Sequence, residues 1–288
     1  MVPCKQSISL NWKSANIWNR DLKTKPRPDH PDGADDSRLY WEAAIALLDV
    51  STKLNLREIR KSTISALECL FPTDITGDQV PKFRPVIAGY RHQPDEKMFY
   101  RTFPIKAIKL FHEHGVPSML PMAYYHAAQL SLEDIVNGIE DDGVLLKLDP
   151  IDMMKVLKGR EKLKRSRRLV LFPWFDDKID QGDDSATCEG ELMLNNNFCW
   201  ENFMDIYFQF NRSGFLDDIT NGLQGLSGTA ESILRRYLCA TCWSESIRLI
   251  SAGERKNWEN LPEYFGFEDW NAVKKLQETA DRSWNGEY

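Results

Sequence analysis

Residues 104–139 read PIKAIKLFHEHGVPSMLPMAYYHAAQLSLEDIVNGI, and the fold class turns on them. Ile105, Ile108, Phe111 and His112 recur at helical spacing behind Pro104, a residue suited to a first helical turn, and Gly115 stands where a helix closes. Ser118 stands as a cap for a second helix carrying Leu120, Tyr124, Ala127 and Ala128. Ser131, with Asp134 three residues on, approximates a capping box for a third helix, with Leu132, Ile135, Val136 and Ile139 on it. Three helices in succession, with no alternating segment between them, predict an all-α body.

The pattern extends both ways. Ala44, Leu47, Leu48, Ser51 and Leu54 share one helical face, and Ile59, Thr63, Ala66, Leu67 and Leu70 form another before Pro72. A turn at Asn55 would fold the two into a helical hairpin. A loop punctuated by Pro and Gly is expected from Phe71 to Thr102. Downstream, Asp149, Pro150 and Asp152 mark a sixth helix start, with Met153, Val156, Leu157 and Leu163 on one face. Leu169–Phe172 is the best strand candidate, and an acidic loop is expected over 174–191. Helical spacing resumes at Trp200, Phe203, Met204, Tyr207 and Phe210; after a break at 221–228, one long helix carries Ile233, Leu234, Tyr237, Leu238, Ile247 and Ile250. The tail NWENLPEYFGFEDWNAVKKL predicts a turn packed with aromatics and a last helix. The expected fold is mainly α, about eight to ten helices with long loops and at most a minor strand pair.

Residues 20–38, RDLKTKPRPDHPDGADDSR, carry almost nothing apolar and cannot offset their ordering entropy. The organisation expected is therefore a flexible segment over 1–38 and one helical domain over 39–288, with a possible subdivision at 172/173. Of 288 residues 42% are hydrophobic, and 37 Lys and Arg face 43 Asp and Glu, for a net charge of −6. That acidic balance argues against a dedicated nucleic-acid binder. No apolar run near the amino terminus reads as a signal peptide, and none approaches the ~18 residues of a membrane span. An intracellular protein of cytoplasm or nucleus is expected.

No GxSxG, Walker A, GxGxxG or HExxH motif occurs. His112 and His114, two residues apart, lie on different helix faces and suit a helix end better than a metal site. The cysteines are more pointed. Four of six fall late: Cys188, Cys199 after ten residues, Cys239 after thirty-nine, and Cys242 after two. The Cys239/Cys242 spacing is that of structural zinc sites, and Cys188 and Cys199 would complete a thiolate shell. All five histidines lie at or before His126, so such a site has only sulfur to draw on. Two alternatives stand beside zinc: small buried hydrophobes three apart on a helix, or a redox pair lacking the usual preceding strand. An activated cysteine nucleophile has no nearby histidine to draw its proton.

Residues 155–168, KVLKGREKLKRSRR, hold eight basic residues and one acid. A solvated helix face with Met154, Leu157 and Leu163 turned inward explains them; a nuclear-import signal or a contact for an acidic partner is the sharper alternative. The late aromatics Trp243, Trp258, Tyr264, Phe265, Phe267 and Trp270 stand among Glu259, Glu263, Glu268 and Asp269, which suits a packed turn and not a base-stacking groove.

From Tyr40 to Leu276 the chain resembles the last BTB-domain helices and following region of the fungal BTB/POZ domain-containing proteins. The stretches that carry the resemblance are ALLDVSTKLNLREIRKSTISALECLFP (46–72), FPIKAIKLFHEHGVPSMLPMAYYHAAQLSLEDIVNG (103–138), LKLDPIDMMKVLKGREKLKR (146–165), LCATCWSESIRLI (238–250) and NWENLPEYFGFEDW (257–270). The resemblance implies a non-enzymatic protein that binds other proteins, as a regulatory scaffold or a ubiquitin-ligase substrate adaptor, with no catalytic residue to carry over. It also implies that Cys188, Cys199, Cys239 and Cys242 stand where relatives place cysteines. The amino-terminal strands and first helices that make the family's dimer surface have no counterpart here, so homo-oligomerisation does not carry over. The alternative expectation is a nuclear regulator with an import segment at Lys164–Arg168 and a structural zinc site.

Overall fold

The computed structural model describes residues 33–68, 70–75, 94–172, 198–218, 222–223, 225–226 and 228–285. The protein is mainly α: ten α-helices and one two-stranded antiparallel sheet among these residues. The predicted hairpin is present as α1 (Gly33–Lys53) and α2 (Arg57–Leu67), with Asn55 at φ 54° turning the chain between them. Helix α1 begins inside the stretch expected to be flexible. The preceding part of the 1–38 segment lies outside the described residues.

Helix α3 (Pro94–Glu113) corrects a boundary: Pro94, not Pro104, occupies its first position, and Pro104 sits inside it at the cost of one backbone hydrogen bond. Gly115 closes α3 at φ +61°, as its position suggested. Ser118 is no cap. It lies in a 3-10 turn, Pro117–Met119, and its hydroxyl bonds Gln277 at 3.0 Å, while α4 (Leu120–Ala128) starts without a side-chain cap. Ser131 does cap α5 (Leu132–Asn137), accepting the Asp134 amide at 3.0 Å, and Asp149 caps α6 (Pro150–Ser166) by accepting the amides of Ile151 and Asp152.

Between α5 and α6 lie β1 (Ile139–Asp141) and β2 (Val144–Leu146), paired Ile139 to Leu146 and Asp141 to Val144. Their two-residue loop is Asp142–Gly143, both at positive φ, a strong hairpin signal in any sequence. The strand expected at Leu169–Phe172 is instead a π-helical turn, Arg167–Leu171, continuing α6. Its apolar residues pack on helices: Leu171 and Phe172 are buried with Ile206, Phe210, Leu234 and Ile250.

Helix α7 (Phe198–Arg212) matches the aromatic spacing read from sequence. The single long helix expected next is two, α8 (Gly228–Tyr237) and α9 (Ala240–Tyr264), because Cys239 is extended at ψ 167° and caps α9. After the turn at 265–269, α10 (Trp270–Asn285) ends the described chain. The tail aromatics pack as expected: the Trp258 and Trp270 rings stack 5.0 Å apart, and the Trp270 indole donates to the Trp258 carbonyl at 2.8 Å.

The apolar side chains form two clusters. The larger joins Trp41, Leu48, Leu67, Phe71, Phe111 and Tyr124 of the first helices with Trp258, Leu261 and Phe265 of the last part. The smaller joins Leu171, Phe172, Ile206, Phe210, Leu234 and Ile250. Helix α9 belongs to both, through Ile250 in the second and Trp258 in the first. Its close approach to the π-turn needs Gly253: a Cβ there would lie 2.3 Å from the Val170 carbonyl oxygen.

Candidate metal centre

Cys199 sits in the first turn of α7, Cys239 caps α9, and Cys242 lies in the first turn of α9. The break that divides α8 from α9 therefore brings the late pair against α7. The three sulfurs lie within 4.8 Å of one another, and all three are thiols, not half-cystines. Sulfurs bound to one zinc at ~2.3 Å stand about 3.8 Å apart, so small side-chain rotations would bring these to ligand distance. Two backbone amides point at the cluster: Cys239 donates to the Cys199 sulfur at 3.4 Å, and Cys242 donates to the Cys239 sulfur at 3.5 Å. Amide donors and the amino-terminal end of the 25-residue α9 favour negative charge on sulfur, the form that binds metal.

The donor set thus fits a soft or borderline divalent metal. Cys199 is buried and the other two are partly exposed. These three cysteines could bind a metal ion; Cys188, the fourth member of the set read from sequence, lies outside the described residues. Cys239 is the cap of α9 and not a residue within a helix, its sulfur accepting a hydrogen bond, while Cys242 packs partly buried against the second apolar cluster.

The basic segment divides. Lys164 and Arg165 are exposed, beside an open concavity that also takes in Glu161, Arg168, Leu169 and Asp217. Arg167 is buried, its Nε donating to the Phe215 carbonyl at 2.8 Å and its guanidinium 4.6 Å from the Phe215 ring centre. Arg168 donates to the Asn211 side chain at 3.0 Å. Met154, expected to face inward, is 48% exposed, whereas Leu163 is buried.

One polar network escaped the sequence reading. His112 Nε2 lies 3.1 Å from the Tyr124 hydroxyl and 3.2 Å from Asp152, and Tyr124 donates to Asp152 at 2.5 Å. Lys155 completes it, its Nζ 5.4 Å from the Tyr124 ring centre. Burial pushes the Asp152 carboxyl up, but hydrogen bonds from His112 and Tyr124 outweigh it and hold the carboxyl at about 2. The Tyr124 hydroxyl is pushed up by burial and by the Asp152 charge. These partners come from three helices and satisfy one another, which is the chemistry of a structural clasp. No spacing rule links positions 112, 124 and 152. By position, His112 lies in the last turn of α3 and His114 just past its end.

No helix of the described residues is long and apolar enough to cross a membrane. Compared with known proteins, the chain matches no family model, no curated protein and no solved structure.

Proposed function

We propose that this chain is a non-enzymatic adaptor that binds other proteins, of the fungal BTB/POZ type, with one structural zinc ion tying its second core. The observation that carries the zinc part is the convergence of Cys199, Cys239 and Cys242 on one point, with two amides directed at their sulfurs. The ion would join the start of α7 to the α8–α9 junction, next to Ile206, Leu234 and Leu238. In that position it adds cohesion to the smaller of the two clusters, the usual role of a closed thiolate site. The interaction part is supported by the five stretches that resemble the BTB/POZ proteins; a ubiquitin-ligase substrate adaptor is its most specific form.

Metal analysis of the purified protein tests the zinc. One zinc per chain is expected, lost in Cys239→Ser and Cys199→Ser, with Cys188→Ser showing whether the fourth thiolate comes from that position. Substoichiometric zinc unchanged by Cys239→Ser overturns it. Co-purification tests the adaptor: tagged protein that brings down no reproducible partner from its host overturns that part.

A second reading, a nuclear regulator, draws support from the exposure of Lys164 and Arg165. Replacing both by alanine should abolish nuclear accumulation; unchanged localisation removes this reading.

A further inference from the structure

Half of the large apolar side chains exposed among the described residues fall in one short stretch: Leu132, Val136, Val144, Leu145, Ile151 and Met154. Ile151 is 70% exposed, and Val144 and Leu145 are each 60% exposed. Leu132 and Val136 are one turn apart on α5. The Leu145 side chain reaches 3.1 Å from where a Cβ on Gly138 would stand, which sets it beside the end of α5. Ile151 opens α6, which packs against α5. The α5–hairpin–α6 corner therefore presents apolar side chains outward from three successive elements.

The same corner is strongly acidic. From Ser131 to Met154 the chain has seven carboxylates and a single cation, Lys147. Asp134 and Asp141 are taken up by Arg101 and Lys106, at 2.5 and 2.7 Å, and Asp152 by the His112 network. Glu133, Glu140 and Asp142 stand exposed, and Glu140 lies directly across the hairpin from Leu145.

We infer that this corner docks a basic amphipathic helix of a partner protein, an inference that rests on the adaptor reading above. Apolar side chains of such a helix would cover Val136, Leu145 and Ile151, and its Lys and Arg would face Glu133, Glu140 and Asp142. Charge decides among occupants: an anionic membrane surface or a nucleic acid would meet like charge. Within the basic stretch 155–166 of α6, Val156 and Leu163 are buried, so a second copy of the chain would bring mainly charge from it to this corner.

The test uses the full chain and a synthetic helix of leucine and lysine, about 18 residues or five turns long. Saturable binding is expected, weakened about tenfold or more in Leu145→Ser/Ile151→Ser and several-fold in Glu140→Gln/Asp142→Asn, with a leucine–glutamate peptide of the same pattern not binding. Both double variants alter exposed residues, and an unchanged thermal melt confirms their fold. Equal binding by the glutamate peptide, or binding unaffected by Leu145→Ser/Ile151→Ser, overturns the inference. So does a dimer that the Leu145→Ser/Ile151→Ser variant converts to monomer. Partners that co-purify equally with that variant overturn this face and leave the adaptor reading standing. Peptide binding without any co-purified partner does the reverse.

Discussion

Arg60 and Asp281, 221 positions apart in sequence, meet at 2.7 Å and tie the second helix to the last. The Arg60 guanidinium also donates to the carbonyls of His114 and Gly115 and lies 4.8 Å from the Trp284 ring centre. The arginine is buried and the aspartate is 42% exposed. Removing the buried partner takes the guanidinium from the His114 carbonyl and leaves the Gly115 carbonyl and Asp281 with Gln277 alone, so Arg60→Met should cost about 3 kcal/mol. Asp281→Asn keeps the other two acceptors and should cost about 1 kcal/mol. Urea denaturation of both variants checks the ratio; equal losses would show that the carbonyl contacts contribute nothing.

Gly253 offers a packing test. A methyl group there meets the Val170 carbonyl oxygen at 2.3 Å and the Leu171 Cα at 3.0 Å, both backbone atoms that cannot rotate away. Gly253→Ala should cost about 1–3 kcal/mol through forced separation of α9 from the π-turn. Gly214→Ala meets nothing within 4 Å and is strained only by its φ of +72°, so about 1 kcal/mol is expected. Thermal melts of the two variants should separate accordingly.

Acid should weaken the fold in two steps. His126 is buried against Phe71 and Phe103, and burial lowers it to about 4 despite a hydrogen bond donated to the Leu70 backbone that acts the other way. A histidine held below its unfolded value of 6.5 takes up its proton more readily in the unfolded chain. Its neutral-state stability is complete above pH 6.5 and is lost as pH falls toward 4, by about 3 kcal/mol. Asp152, depressed from 3.8 to about 2, adds a second loss over that lower window. Denaturation midpoints between pH 7 and 4.5 should flatten in His126→Phe, and a slope identical to wild type would disprove the assignment.

Metal removal should act locally. Hydrogen exchange with and without a zinc chelator should speed in Phe198–Arg212 and the first turns of α9, and stay unchanged in Leu120–Ala128. Uniform protection loss across both regions would place the ion's effect elsewhere.

Local signals carried most of the helix reading. Ser131 and Asp149 cap where their residue type said they would, and Gly115 closes α3. The misreadings share a cause, tertiary context acting on short segments. Leu169–Phe172 is apolar enough for a strand, yet among the described residues no second strand lies near, and it winds into a π-turn under α9. The hairpin was legible in Asp142–Gly143 but its strands have only three residues each, too few to show alternation. At the cysteines, spacing supplied the candidates and left zinc level with buried thiols. The relation between Cys199 and the late pair depends on how α7 packs beside α8, which no local pattern encodes.

The sharing of α9 between two clusters bears on synthesis. A nascent chain emerging from the ribosome cannot complete its first-made core with its own early helices, since Trp258, Leu261 and Phe265 fill part of it. The early helices of this core must wait until Trp258, Leu261 and Phe265 have been made, and during that delay their uncovered apolar faces are open to chaperones.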